Sequence, residues 1–141
     1  QEYLGSDLQS IGREKAGIIR AGKPVVCGEQ HPPASVLRVA AALGAPVRRL
    51  GVDFRAATQA EGVRFSTGAC VLDLPLPALA GPHQVSNMAT GLAAVLELLP
   101  EAANAAAGIA RGLRAVTLPG RLERLAERPA NVWFVVKSLF A

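Results

Sequence analysis

A short apolar strand between two helical segments is the feature of this sequence that most constrains its fold. Residues 24–27 read Pro-Val-Val-Cys, a run typical of a short buried strand. Helical periodicity precedes them from about residue 6 to residue 21, and a second helix is expected at residues 32–43, with proline in its first turn and Gly44 just beyond its end. A helix–strand–helix order is typical of α/β domains. The sequence therefore predicts an α/β fold with strands of the parallel type.

The middle of the chain predicts a small antiparallel β insertion. Residues 46–54, 63–66 and 70–74 are short and either β-branched or alternating, and Thr67-Gly68 joins the last two. Prolines punctuate residues 75–82, which we expect to form an irregular connection. Two helices are expected to follow, at residues 84–99 and 101–114. A turn at residues 119–120 and a terminal strand pair at residues 121–126 and 132–136 are expected after them.

Composition and charge exclude several classes of protein. Half of the 141 residues are hydrophobic and 18% are charged, which excludes a disordered chain or a coiled coil. There is no apolar run of membrane-spanning length and no signal peptide, and two cysteines cannot build a disulfide framework, so we expect a cytoplasmic protein without a membrane partner. The net charge is +4, but the arginines are scattered and aromatics make up only 4%, so no nucleic-acid partner is expected.

Lys15 lies within the apolar stripe of the first predicted helix. At about 100° per residue, one helical face carries Lys15 in the middle of an apolar stripe, whose members are Leu4, Leu8, Ile11, Ile18 and Ile19. Burial there would favour a neutral, nucleophilic amine, and arginine could not replace it because a guanidinium stays protonated. The alternative is a lysine that extends its amine into solvent, and periodicity alone favours this alternative.

Three polar side chains begin the helix predicted at residues 84–99. His83, Gln84 and Asn87 lie in or beside its first turn, away from the apolar stripe. Carboxamides donate and accept hydrogen bonds together, which suits the edge of a purine, and the positive end of the helix dipole favours anions. Ordinary capping and solvation also explain these residues, and chemistry alone favours that explanation.

Arg121 follows a Pro-Gly turn that fixes the backbone before it. A guanidinium that projects from such a turn suits phosphate oxygens, although most turns of this kind are purely structural. The sequence contains no glycine-rich phosphate-binding motif, no paired-histidine metal helix and no nucleophile elbow. The residues alone therefore make no complete catalytic site.

Three segments, in order, resemble motifs of folylpolyglutamate synthase/dihydrofolate synthase, a family of the Mur ligase superfamily. Residues 11–20 contain Glu-Lys-Ala-Gly-Ile and are similar to the signature of that family. Residues 81–89 resemble its G-x-H-Q-x-x-N-A motif, although Met88 stands where alanine is usual, and residues 118–122 resemble its L-P-G-R-x segment. The likeness extends over about residues 1–134.

The resemblance implies a fold and a set of site residues. The fold would be part of a P-loop-type Mur ligase central domain with a small antiparallel β insertion. Lys15 would be the catalytic lysine that reacts with carbon dioxide, and its carbamate would bind Mg²⁺, a cation that prefers oxygen ligands. Gln84 and Asn87 would lie near the base of ATP, His83 would be a further cofactor-binding residue, and Arg121 would help to hold the ATP phosphates.

The activity that the resemblance implies is ATP-dependent amide ligation in folate metabolism. ATP would phosphorylate a carboxylate of dihydropteroate or of a folylpolyglutamate, and the amine of L-glutamate would attack the acyl phosphate. The implied cofactors are ATP and Mg²⁺, and the implied partners are these small molecules, since full-length members of the family are usually monomeric. Which of the two acceptors is used, or whether both are, stays open.

Both ends of the chain depart from the pattern of the family. Its phosphate loop would precede this sequence, and Val135, Ser138 and Leu139 stand where Asp, His and Asn of D-x-A-H-N-P are expected, as after a truncation or a frameshift. We expect residues 1–118 to be the C-terminal half of the ATP-binding central ligase domain, and residues 119–141 to be an incomplete stub of the C-terminal glutamate-ligase domain. Such a chain is expected to be inactive alone. Two alternatives are a non-catalytic α/β module and a fragment of another Mur-type ligase, such as a muramyl-peptide ligase.

Overall fold

The computed structural model describes residues 3–79, 81, 83–117, 123–126 and 132–134, with side chains from residue 8 to residue 117. Along the chain these residues form α1 (Tyr3–Lys15), a 3₁₀ turn (Ala16–Ile18), β1 (Val25–Cys27), α2 (Ala34–Ala42), β2 (Val47–Arg49), β3 (Phe54–Gln59), β4 (Gly62–Thr67), β5 (Val71–Leu74), α3 (Gln84–Leu98), a second 3₁₀ turn (Pro100–Asn104), α4 (Ala106–Ala115), β6 (Glu123–Ala126) and β7 (Val132–Phe134). None of the helices in these ranges is long and apolar enough to cross a membrane.

Strands β1 and β2 form the parallel pair that the helix–strand–helix order predicts. Val25 pairs with Val47 and Cys27 pairs with Arg49, and α2 makes the crossover between the two strands. A small apolar cluster supports this pair, and its buried members are Ala16, Ile19, Ala40 and Ala45. The mixed α/β class is therefore confirmed.

The antiparallel insertion is also confirmed, but its first strand is not the one predicted. β3, β4 and β5 form a three-stranded meander, whereas β2, which lies within the predicted strand at 46–54, joins β1 instead. Sequence analysis missed most of β3 because only Phe54 and Ala56 in that strand are shielded from solvent. The rest of β3 is exposed and has no apolar alternation.

The main core lies between the meander and α3. Phe54 and Phe65 are fully buried there, and their ring centroids are 6.5 Å apart. The other buried members of this cluster are Leu50, Leu72, Leu74, Ala89, Leu92 and Ala93. Since α3 supplies three of these residues, packing against the meander holds the helix in place.

Helix α1 packs through its small residues and not through the predicted stripe. Leu8, Ile11 and Ile18 are 52%, 43% and 81% exposed, whereas Gly12 in α1 and Ala16 in the following turn are buried. Ile19, just after that turn, is the one member of the predicted stripe that is buried among the side chains the structure describes. The absence of a side chain at Gly12 lets α2 approach closely. Periodicity of large apolar residues therefore located the wrong face of this helix.

One contact shows how closely α1 and α2 approach each other. A Cβ atom on Gly12 would lie only 2.5 Å from Oγ of Ser35, at the start of α2. Close by, the Ser35 backbone N–H donates to the Gln9 side-chain oxygen at 3.1 Å, so α1 caps the first turn of α2.

Several helix boundaries differ from those predicted, whereas the terminal strand pair is confirmed. The first helix ends at Lys15 and tightens into a 3₁₀ turn, and the helix predicted at 101–114 divides at Ala105 into a 3₁₀ turn and α4. β6 and β7 pair antiparallel, with an irregularity between Arg124 and Ala126. The predicted Pro119-Gly120 turn lies outside the described residues.

A bidentate ion pair links the exposed faces of β4 and β5. The Arg64 guanidinium donates to both carboxylate oxygens of Asp73, at 2.8 and 2.9 Å. These hydrogen bonds hold the pKa of the Asp73 carboxyl below its ordinary value and raise the pKa of Arg64. The two residues are directly opposite in the register, so the pair reinforces the alignment of these strands.

Candidate functional site

Two contacts fix the direction in which α3 crosses the parallel pair. Thr90, in the second turn of α3, lies against Gly28, the residue after β1. Seven residues later in α3, Glu97 accepts a hydrogen bond from Arg48 of β2. Arg48 pairs with Val26 in the middle of β1, two residues before Gly28. Helix α3 therefore runs antiparallel to β1 and β2, and its first turn extends beyond their carboxyl ends.

The first turn of α3 brings together three of the residues predicted to bind the nucleotide. His83 directly precedes the helix, and its carbonyl accepts hydrogen bonds from the Asn87 N–H and the Ser86 hydroxyl, both at 2.9 Å. The Asn87 side-chain nitrogen donates to the Gln84 side-chain oxygen at 3.4 Å. His83 and Asn87 are exposed, and Gln84 is half-buried. The carboxamides thus lie side by side and open to solvent.

The surroundings of this turn are polar and lie at the position where open α/β sheets bind ligands. In such sheets the binding crevice lies outside the carboxyl ends of the parallel strands. The loop after β1 adds Glu29, Gln30 and His31 at the same edge, and all three are exposed. A donor and an acceptor next to a helix N-terminus can hold the edge of a heterocyclic base, with the dipole favouring an attached anion.

Lys15 is the last residue of α1, and its side chain is exposed. The hypothesis of an amine turned toward the core is therefore wrong, and the solvent-extended alternative, which periodicity alone favours, is confirmed. The physical reason is that Gly12 and Ala16 supply the buried face, which leaves Lys15 on the solvent side. Helix α1 packs mainly on α2 and the following 3₁₀ turn, whereas α3 packs mainly on strands and on the second 3₁₀ turn, so this packing does not join Lys15 to the first turn of α3.

The described residues do not form a metal site by themselves. Within the described ranges, no group of three or more His, Cys, Asp or Glu side chains is arranged to hold a metal ion. A carbamate on Lys15 would add a single ligand group, which is too few for an octahedral Mg²⁺ ion held by the protein alone. Arg121, the residue predicted to hold phosphates, lies outside the described residues.

A cavity that sequence analysis did not predict opens at the other end of α3. Its volume is about 710 Å³, and Phe54, Cys70, Ala93 and Leu96 form much of its apolar wall. Four charged residues also line it, namely Arg48, Asp53, Arg55 and Glu97. The hydrogen bond to Glu97 raises the pKa of Arg48. No local sequence signal could reveal this cavity, because β2, β3 and α3 meet there only through tertiary packing.

The chain is similar in sequence to two curated enzymes of folate metabolism. Dihydrofolate synthase/folylpolyglutamate synthase of Escherichia coli (strain K12) is 37% identical over 138 residues, which cover 97% of this chain and 31% of that protein. Folylpolyglutamate synthase of Lacticaseibacillus casei is 34% identical over an alignment of 142 positions, gaps included, which covers 94% of this chain and 33% of that protein. No protein-family model matches the chain.

Solved structures agree with these sequence matches. E. coli FolC in complex with DHPP and ADP superposes with a TM-score of 0.79 at 37% identity, over 92% of this chain and 30% of FolC. The Yersinia pestis bifunctional synthase complexed with AMPPNP and a Mn ion superposes with a TM-score of 0.78 at 39% identity, with the same shares of the two chains. The chain spans about a third of the length of the relatives it matches. It is therefore a partial homologue of dihydrofolate synthase/folylpolyglutamate synthase.

Proposed function

We propose that this chain is the part of an ATP-dependent folate-pathway amide ligase that holds the base of the nucleotide. One observation carries the proposal: the first turn of α3, with its paired carboxamides Gln84 and Asn87, extends past the carboxyl ends of β1 and β2. Ligands of open α/β sheets bind in this position. Similar structures that contain ADP or AMPPNP, together with the extent of the match, support the assignment.

In the proposed site, the chain's own residues bind and orient the nucleotide. The Gln84 and Asn87 carboxamides would hydrogen-bond to the edge of adenine, with exposed His83 beside them. Arg121 is proposed to hold phosphate oxygens through its planar guanidinium. Residues 1–118 would then belong to the central ligase domain, and residues 119–141 to the start of the C-terminal domain.

The proposed reaction has two balanced steps. A carboxylate of dihydropteroate or of a folylpolyglutamate attacks the γ-phosphate of ATP, which gives an acyl phosphate and releases ADP. The amine of L-glutamate then attacks the acyl carbon, phosphate leaves, and a proton is lost as the amide forms. Among the similar structures, one contains DHPP and ADP, and another contains AMPPNP, Mn and L-glutamate.

Binding of ADP to the isolated chain tests the nucleotide site. We expect weak binding, with amide chemical-shift changes concentrated in residues 83–87, followed by titration with ¹H–¹⁵N NMR. Asn87→Ala should weaken this binding about tenfold, because it removes up to two hydrogen bonds of about 1 kcal/mol each, and 1.4 kcal/mol corresponds to a factor of ten.

Asn104→Ala is the matched control for this experiment. Asn104 is an equally exposed asparagine in the second 3₁₀ turn, away from the first turn of α3, and its substitution should leave the ADP affinity unchanged. A wild-type chain without ADP-dependent shifts in residues 83–87 would contradict the proposal and favour the non-catalytic α/β module.

We further propose that Lys15 forms a carbamate. Because Lys15 and Lys23 are both exposed, the support for Lys15 is its place in the Glu-Lys-Ala-Gly-Ile segment that resembles the family signature. The neutral nitrogen adds to the carbon of CO₂ and loses a proton to solvent. In the presence of ¹³C-bicarbonate, we expect a carbamate carbonyl signal in the ¹³C NMR spectrum that is lost in Lys15→Arg. The control is Lys23→Arg, another exposed lysine, which should retain the signal. A signal that persists in Lys15→Arg would exclude this residue as its source.

A further inference from the structure

We infer that Gly28 is a positioning residue for the nucleotide site: its missing side chain lets α3 lie close enough to β1 to set the place of Gln84 and Asn87. This inference rests on the proposed function of the first turn of α3. It goes beyond that function because Gly28 itself touches no nucleotide in the proposed arrangement and acts only through the helix.

The contact between Gly28 and Thr90 leaves no room for a methyl group. A Cβ atom on Gly28 would lie 2.6 Å from Thr90 Oγ1 and 3.4 Å from Thr90 Cγ2. Gly28 does not have the positive φ angle that favours glycine. The close approach of α3, and not the local backbone conformation, is therefore what requires glycine at this position.

Thr90 is tied directly to the turn that carries the proposed nucleotide contacts. Its hydroxyl donates to the Ser86 carbonyl at 2.7 Å, and the Ser86 hydroxyl donates to the His83 carbonyl at 2.9 Å. Thr90 cannot rotate away from Gly28 without giving up its bond to Ser86. A displacement of the Thr90 side chain by a methyl group on Gly28 would therefore displace the backbone at Ser86, in the first turn of α3.

Helical geometry places the affected residues on one side of α3. Asn87 and Thr90 are three residues apart, and His83 precedes Asn87 by four, so all three lie along the same face. Thr90 meets the chain at the end of β1, and the other two continue that face beyond the strand. The distance between β1 and α3 therefore determines the positions of the His83 and Asn87 side chains relative to the loop at residues 29–31.

The main test is Gly28→Ala, assayed by ADP titration with ¹H–¹⁵N NMR. We expect about tenfold weaker ADP binding, because a displaced first turn would weaken one or two hydrogen bonds of about 1 kcal/mol each, and 1.4 kcal/mol corresponds to a factor of ten. In the free protein, the amide shifts that change should include those of residues 83–87. The double variant Gly28→Ala/Thr90→Ala should recover most of the affinity, because Thr90 Cβ would lie 3.5 Å from the new methyl, an ordinary contact.

Two further variants separate positioning from general damage to the helix. Gly91→Ala introduces the same methyl group into α3 with nothing within 4 Å of it, and should leave the ADP affinity unchanged. Thr90→Val keeps the shape of the side chain but removes its bond to Ser86, and should weaken ADP binding by a smaller factor than Gly28→Ala. This variant tests the coupling even where Gly28→Ala fails to fold.

The outcomes distinguish this inference from the proposed function. No ADP binding by the wild-type chain would overturn both. Normal binding by the wild type together with unchanged affinity in Gly28→Ala and Thr90→Val would overturn only the positioning role. A loss in Gly28→Ala that the added Thr90→Ala does not recover would overturn it too, because the methyl group would then act by a route other than Thr90.

Discussion

Phe65→Ala is expected to lower the free energy of unfolding by about 3–5 kcal/mol, as measured by chemical denaturation at neutral pH. Phe65 is completely buried in the centre of the meander, opposite Ala56 on one side and Leu72 on the other. Truncation removes the aromatic contact with Phe54 and leaves a cavity between the sheet and α3. Because a domain has only about 5–15 kcal/mol of stability in total, this loss should remove a large share of the stability of the chain.

Val71→Ala is the control for that substitution. Val71 lies in the neighbouring strand and is 60% exposed, so its truncation should change the free energy of unfolding by no more than about 0.5 kcal/mol. Equal losses for the two variants would mean that the core is not centred on the face of the meander that Phe65 occupies.

Gly62→Ala should destabilise the chain by about 3 kcal/mol, the second largest effect. Gly62 begins β4 with a φ angle of +150°, which other residues rarely adopt. A Cβ atom there would also overlap the Leu74 carbonyl oxygen, and this neighbour belongs to the backbone of the paired strand. The start of β4 would have to move away from the end of β5. Thermal unfolding would record this change as a lower Tm.

Gly68→Ala tests whether the effect is specific to that position. Gly68 lies in the turn between β4 and β5, with no atom within 4 Å of an added Cβ and no positive φ angle. We expect a change within about 0.5 kcal/mol. If Gly62→Ala is as stable as Gly68→Ala, then the close approach of Gly62 to the Leu74 carbonyl does not exist in solution.

Local signals in the sequence were sufficient for some elements and for the first turn of α3. The run at 25–27 was identifiable as a strand because its apolar residues follow a proline and precede Gly28. Gln84 and Asn87 could be assigned to a helix start because an apolar stripe follows them while they lie outside it. Their separation of three residues already predicted that their side chains are neighbours on one face of the helix.

Other features depend on contacts between distant parts of the chain, which no local pattern encodes. The orientation of Lys15 could not be predicted, because the buried face of α1 is set by two small residues, Gly12 and Ala16, whose importance depends on the close approach of α2. β3 escaped detection because its exposed residues do not alternate. The contact between Gly28 and Thr90 joins residues 62 positions apart in sequence, as the numbering shows.

The arrangement of consecutive strands in the meander has a consequence for the order of assembly. β3, β4 and β5 are neighbours in sequence, so their pairing closes only short loops and costs little chain entropy. The parallel pair also needs the crossover helix α2 to dock, and α3 contacts strands that are distant from it in sequence. We therefore expect the meander to form before α3 docks on it, and the first turn of α3, which buries little of its own surface, to become ordered late. The proposed nucleotide contacts would then depend on the meander being formed.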